Sequence, residues 1–134
     1  MEIAINILLV DDVEYTRELL RSILLSCLNE QKINMTAKFS HSSTGLDIPQ
    51  RITDEKINLV YLDIELPTTT GLTVLKQIRR AHPDIMVVMV SGESSADNVT
   101  NSIKMGANGF IVKPFNSDRV IDSLKSYIKK EYKI

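Results

Sequence analysis

Tryptophan is absent, and cysteine occurs once, at Cys27. A single thiol closes no disulfide within the chain, so stability must come from an apolar core. Cys27, beside Ile23, Leu24 and Leu28 in a helical pattern, reads as a small member of that core. No apolar run is long enough to span a bilayer, and the apolar start IAINILLV leads into Asp11-Asp12 rather than a small-residue cleavage site. The expected compartment is the cytoplasm, with no membrane partner. A surplus of one charge sign is also missing: 16 Lys and Arg stand against 17 Asp and Glu, for a net charge of -1. A nucleic-acid surface would need a concentrated basic excess, so no direct nucleic-acid partner is expected. Lys125, Lys129, Lys130 and Lys133 instead suit a helix C-terminus facing solvent. Gly/Ser-rich linkers, repeats and low-complexity runs are absent too, which leaves one domain over residues 1–134.

What is present is an ordinary globular composition, 43% hydrophobic and 25% charged, in 134 residues. Five short runs rich in branched or apolar residues read as strands: INILLV (5–10), MTAKFS (35–40), INLVYLD (57–63), IMVVMV (85–90) and GFIV (109–112). Helical spacing separates them. Leu20, Ile23, Leu24, Cys27 and Leu28 mark a first helix over about 13–29. GLTVLKQIRRAHP places Leu72, Leu75 and Ile78 on one face and is stopped by Pro83. The final helix offers Asn116 or Ser117 as N-cap and turns Ile121, Leu124 and Ile128 inward. Two helices are weak in the pattern: one over about 44–55, interrupted by Pro49, and one over about 95–105, with a thin face of Val99, Ile103 and Met105. Alternating strand and helix implies an α/β fold with a mostly parallel sheet covered on both faces. Runs without polar alternation, such as IMVVMV, fit strands buried on both sides.

In such sheets ligands bind beyond the carboxyl ends of the strands. Asp11 and Asp12 follow the first strand, Asp63 ends the third, Ser91 follows the fourth and Lys113 the fifth. His41, Ser42 and Ser43 after the second rank as loop residues. Each polar group alone has a plain reading: a helix cap for Asp11 or Asp12, a loop serine, a surface lysine. Arriving together at one rim, three carboxylates must be protonated or share a cation. A hard divalent ion such as Mg²⁺ suits carboxylates, waters and a phosphate. Lys113 adds a point charge for a phosphoryl oxygen, and Ser91 a hydroxyl donor. The set suits phosphoryl transfer, with a carboxylate such as Asp63 able to act as nucleophile and carry an acyl phosphate.

Four stretches, LLVDDVEYTRELL, LVYLDIELPTTTGL, VVMVSGES and GANGFIVKPF, closely resemble the receiver domain of two-component response regulators, in particular the single-domain chemotaxis regulators. The resemblance covers nearly the whole chain. It implies a three-layer, doubly wound (βα)5 sandwich with a five-stranded parallel sheet in the flavodoxin-like order 2-1-3-4-5. It further implies that Asp63 is the phosphoacceptor, that Asp11, Asp12, Asp63 and the Glu65 backbone carbonyl hold Mg²⁺ or Mn²⁺, and that Ser91, the Gly92 amide and Lys113 bind phosphoryl oxygens. Pro67 and Gly71 shape the turn after the acceptor strand, and Lys113-Pro114 is the bond that the family usually keeps cis. Ser91 and Phe110 take the switch positions, and the face of the fourth helix, fifth strand and fifth helix becomes the output, with Lys104, Asn108, Asp122 and Lys125 exposed on it.

The implied partners are a histidine kinase or histidine phosphotransfer protein and a downstream target, or a covalently linked effector domain if the chain is a fragment. Phosphorylation-dependent homodimerisation is compatible with the sequence. The chain would catalyse only its own phosphorylation and dephosphorylation. Ser91 stands where threonine is commoner, Gly92 where alanine is, and LNEQKIN lengthens the connection before the second strand; none removes a required group. Glu65 and Glu93 lie at positions that tune phosphoryl loss, and the Glu65 carboxylate is expected to disfavour attack by water. Two other readings compete. A Mg²⁺-dependent phosphatase or phosphotransferase would also use a nucleophilic Asp, but the haloacid-dehalogenase-like pattern wants Asp-x-Asp after the first strand, where this chain has adjacent acids, and a cap domain, which is not evident. A phosphorylation-independent interaction module would not need the retained Asp12, Asp63, Ser91 and Lys113.

Overall fold

Branched and apolar side chains that leave no polar alternation form strands that can be covered on both sides. The computed structural model describes residues 3–30, 35–92 and 96–132. Its strands are β1 (Ile3–Val10), β2 (Met35–Ser42), β3 (Leu59–Asp63), β4 (Met86–Ser91) and β5 (Gly109–Val112). They alternate with α1 (Glu14–Glu30), α2 (Ile48–Asp54), α3 (Gly71–Ala81), α4 (Ala96–Lys104) and α5 (Ser117–Tyr132). The strands are all parallel, in the order β2-β1-β3-β4-β5. The expected α/β fold and flavodoxin-like strand order are both present. No helix among the described residues is long and apolar enough to cross a membrane.

Because successive strand side chains point to opposite faces, β1 feeds two cores. Ile5, Ile7 and Leu9 pack with Leu20, Leu24, Leu124 and Ile128 of α1 and α5. Leu8 and Val10 pack with Ile52, Val74, Leu75 and Ile78 of α2 and α3. Every residue of β3 and β4 is buried. Cys27 is buried with the first of these groups, as its helical neighbours suggest. On that same side the Tyr61 hydroxyl lies 2.6 Å from Ser123 Oγ. Ser123 Oγ already donates to the Val120 carbonyl at 2.6 Å. A hydroxyl has one proton, so Tyr61 is the donor of the pair.

The structure corrects three local expectations. His41 and Ser42 belong to β2 rather than a loop, because pairing with β1 continues to Val10↔Ser42. The second helix is not interrupted by Pro49: it begins at Ile48, with Pro49 in its first turn, where a missing N–H costs nothing. On α4 Ile103 is 51% exposed, while Ser102, with 0% exposure, is the residue turned inward. Asn108 is exposed, yet its side-chain oxygen is committed internally, accepting from Val87 N at 2.9 Å and Arg79 Nη2 at 2.8 Å. The Arg79 guanidinium also donates to the carbonyls of Gly106, His82 and Ile85, tying the loop before β5 to the end of α3. At the start of α5, Asn116 is the cap, accepting from Arg119 N at 3.3 Å.

Candidate functional site

A parallel strand ends with its last carbonyls and the next loop at the same edge as its neighbours, so the ends of β1, β3, β4 and β5 converge. Asp11 is held immediately beyond β1: its N–H donates to the Ser42 carbonyl at 3.0 Å, and its Oδ1 accepts from Val13 N at 2.8 Å. Asp63 closes β3, with Oδ1 accepting from Glu65 N at 3.1 Å. Each of the two residues is only 2% exposed, whereas Asp12 is exposed. Lys113 reaches back from the end of β5, its N–H held by the Ser91 carbonyl at 2.8 Å. Its Nζ donates to Asp11 Oδ2 at 2.8 Å and to Asp63 Oδ2 at 3.1 Å.

The electrostatics follow from that geometry. Burial pushes the Asp63 carboxyl up from 3.8 to about 6, the Asp11 charge adds to the rise, and the Lys113 ammonium opposes both. Burial alone would lower the Lys113 pKa, but hydrogen bonds and charge from Asp11 and Asp63 outweigh it and leave it raised. The lysine is therefore a fixed cation between two buried carboxylates. One carboxylate oxygen from each of Asp11, Asp12 and Asp63 lies within 4.8 Å of the others. This all-oxygen donor set fits a hard divalent cation, with Asp12 supplying the open side.

The turn after β3 fixes how closely the next helix approaches. Gly71 N donates to the Ile64 carbonyl at 2.7 Å, and Glu65 and Thr70 form an isolated antiparallel bridge. A Cβ at Gly71 would lie 2.1 Å from the Asp63 carbonyl oxygen, so only glycine lets α3 start there. Thr70 caps that helix by accepting from Thr73 N at 3.2 Å. Pro67 is exposed in the same turn. On the other side, the Lys113-Pro114 bond is cis, as the motif implies.

Ser91 is fully buried at the end of β4, but its hydroxyl is engaged. Ser91 Oγ lies 2.9 Å and 2.6 Å from the two Glu65 carboxylate oxygens, and Gly92 N donates to Glu65 Oε1 at 3.2 Å. The Glu65 carboxylate is therefore engaged with the end of β4 and does not simply point into solvent. Among the described residues, a Cβ at Gly92 would meet nothing nearer than Glu65 Oε1 at 3.8 Å, so on that side there is room for the commoner alanine. Phe110 is half-buried against the α2 and α3 side of the sheet. Val99, Phe110, Val112, Pro114, Phe115 and Arg119 line a hollow of about 340 Å³ on the face of α4, β5 and α5. Glu93 lies outside the described residues.

One further site residue escaped the sequence reading. Arg17 donates from its guanidinium to the Asp11 carbonyl, bracing the acidic loop from α1. The local clue is a basic side chain near a helix N-terminus, where the dipole favours acids.

The strand order, the acidic rim and its half-buried lysine define a doubly wound α/β domain with an anionic pocket at the carboxyl edge of its sheet. The chain belongs to the response regulator receiver domain family, which matches residues 7–125. The chemotaxis protein CheY of Listeria monocytogenes is 32% identical over 125 residues, covering 93% of this chain and 99% of that protein. The receiver domain of NtrX from Brucella abortus has a TM-score of 0.79 at 31% identity, over 93% of this chain and 99% of that one. CheY in a CheX-CheY-BeF3-Mg complex from Borrelia burgdorferi has a TM-score of 0.75 at 29% identity, over 91% of this chain and 87% of that one.

Proposed function

We propose that the protein is a phosphorylation-controlled binding switch of a two-component system, working in the cytoplasm, with Asp63 as its phosphoacceptor. The observation that carries this reading is the Lys113 ammonium held against two buried carboxylates, one of them Asp63 at 3.1 Å, in a receiver-family chain. A phosphohistidine on a histidine kinase or phosphotransfer protein is the donor. An Asp63 oxygen attacks the phosphorus, the P–N bond breaks, and the imidazole leaves with a proton from solvent. The Lys113 charge favours the ionised carboxylate needed for attack and then meets a phosphoryl oxygen.

Mg²⁺, or Mn²⁺ in its place, would be held by Asp11, Asp12, Asp63 and the Glu65 carbonyl, and supplies neutralisation of the phosphoryl charge. Ser91 and the Gly92 amide donate to oxygens of the phosphoryl group once it is attached. Water later cleaves the acyl phosphate, so the protein acts catalytically only on itself, and the Glu65 carboxylate tunes that step. Drawing Ser91 onto the phosphoryl group changes the space available to Phe110 and shifts the α4, β5 and α5 face toward its binding-competent arrangement. Its downstream partner is a protein docking there.

Incubation with Mg²⁺ and acetyl phosphate, followed by intact mass, tests the reading. A single phosphate adduct is expected in the wild type and none in Asp63→Asn, with no turnover of a generic phosphatase substrate. No adduct in the wild type would favour a phosphorylation-independent interaction module.

A further inference from the structure

The groups assigned above to the phosphoryl oxygens already hold an anion that belongs to the chain. Ser91 Oγ donates to the Glu65 carboxylate, at 2.9 Å and 2.6 Å from its two oxygens, and Gly92 N adds a third contact at 3.2 Å. We propose that Glu65 is an internal competitor for these donors, a resident carboxylate that the phosphoryl group must displace. The proposal rests on the reading of Asp63 as phosphoacceptor.

Three features make the contact displaceable rather than fixed. The Glu65 backbone is pinned, its N–H on Asp63 Oδ1 at 3.1 Å and its position bridged to Thr70. Glu65 as a residue is exposed, while Ser91 is wholly buried. The carboxylate can therefore swing into water, where an anion is well solvated, while the serine hydroxyl cannot leave without another acceptor. A phosphoryl group on Asp63 would bring acceptor oxygens and negative charge toward the same donors. Ser91 has one hydroxyl proton to give, and two anions at adjoining donors repel, so engagement of Ser91 by one disfavours the other.

Modification would then exchange one acceptor on Ser91 for another, rather than recruit an idle hydroxyl. Part of the phosphoryl group's binding free energy is spent on eviction. Removing Glu65 should strengthen binding of a phosphoryl mimic, and the gain should depend on Ser91. A charge effect acting through space would not depend on it.

The test uses beryllofluoride with Mg²⁺ on the intact chain, with affinity followed by calorimetry. Glu65→Ala should bind about tenfold more tightly than wild type, the scale of a hydrogen bond to a charged acceptor. Glu65→Gln, which keeps an acceptor without the charge, should fall between them. In a Ser91→Ala background the gain from Glu65→Ala should shrink several-fold. In the metal-free protein the Gly92 amide proton resonance should move upfield in Glu65→Ala, which reports the contact without any phosphoryl chemistry. An equal gain with and without Ser91, no gain at all, or an unmoved Gly92 resonance would overturn the competition. Such results beside a normal Asp63 phosphate adduct would leave the phosphoacceptor reading standing. Absence of any adduct would sink that reading and the competition together, even if the Gly92 resonance moved.

Discussion

Lys113 Nζ lies closer to Asp11 Oδ2, at 2.8 Å, than to Asp63 Oδ2, at 3.1 Å. The lysine is therefore anchored just beyond the first strand while it faces the end of the third. Loss of Asp63 as an anion, through protonation or substitution, leaves the ammonium a buried partner in Asp11. That division of contacts decides how variants at the site should behave.

Without metal, ionised Asp63 should cost stability at neutral pH. A carboxyl whose folded pKa, about 6, exceeds its ordinary value of 3.8 binds its proton more tightly in the folded chain. Its contribution is favourable below the unfolded value and is lost as pH rises from there through the folded one. Asp63→Asn removes the penalty and leaves Lys113 on Asp11. In EDTA the variant should match wild type near pH 4 and exceed it at pH 7 by on the order of 2 kcal/mol. Urea denaturation at the two pH values measures the gap, and a pH-independent difference would contradict the assignment.

Mg²⁺ should raise stability through the same carboxylates. At a concentration of a hundred times Kd, binding to the folded state alone adds about 2.7 kcal/mol, and EDTA should remove it. Asp12 is the informative position because it is exposed, so Asp12→Asn leaves the buried pairs in place. That variant should unfold like wild type in EDTA and lose most of the Mg²⁺-dependent rise in Tm.

Two glycines beside the site should respond oppositely to alanine. At Gly71 a new Cβ would meet the Asp63 carbonyl oxygen at 2.1 Å, and the backbone would have to move. Gly71→Ala should cost about 1–3 kcal/mol and slow acetyl phosphate labelling, because the displaced backbone includes that of Asp63. At Gly92 the nearest atom among the described residues would be 3.8 Å away, so Gly92→Ala should stay within about 0.5 kcal/mol of wild type. Equal losses at both positions would refute the distinction.

Tyr61→Phe removes a buried hydroxyl that donates to Ser123. Ser123 keeps its own bond to the Val120 carbonyl at 2.6 Å, so no donor is stranded. The expected loss is about 1 kcal/mol by denaturant unfolding, with phosphate labelling unchanged. A loss several times larger would mean that the ring's packing depends on the hydrogen bond.

The rim residues were legible because each follows a run that is otherwise apolar: LVYL into Asp63, IMVVMV into Ser91 and GFIV into Lys113. Such a break in the pattern is local and needs no tertiary information. The face of α4 was not legible, since its weak periodicity favoured Ile103, while packing turned Ser102 inward. Pro49 misled because the same residue breaks a helix interior and suits a helix start. The partners of the Glu65 carboxylate were hidden for a different reason: Ser91 lies 26 residues away, and only the β3 and β4 register brings the two together.

The separation of Lys113 from its anions has a consequence during synthesis. The ammonium stands 50 residues after Asp63 and 102 after Asp11. A nascent chain therefore presents all three carboxylates well before their lysine leaves the ribosome. Until β5 docks, Asp11 and Asp63 lack the ammonium that stands between them in the folded chain, so their like charges oppose closure of that edge.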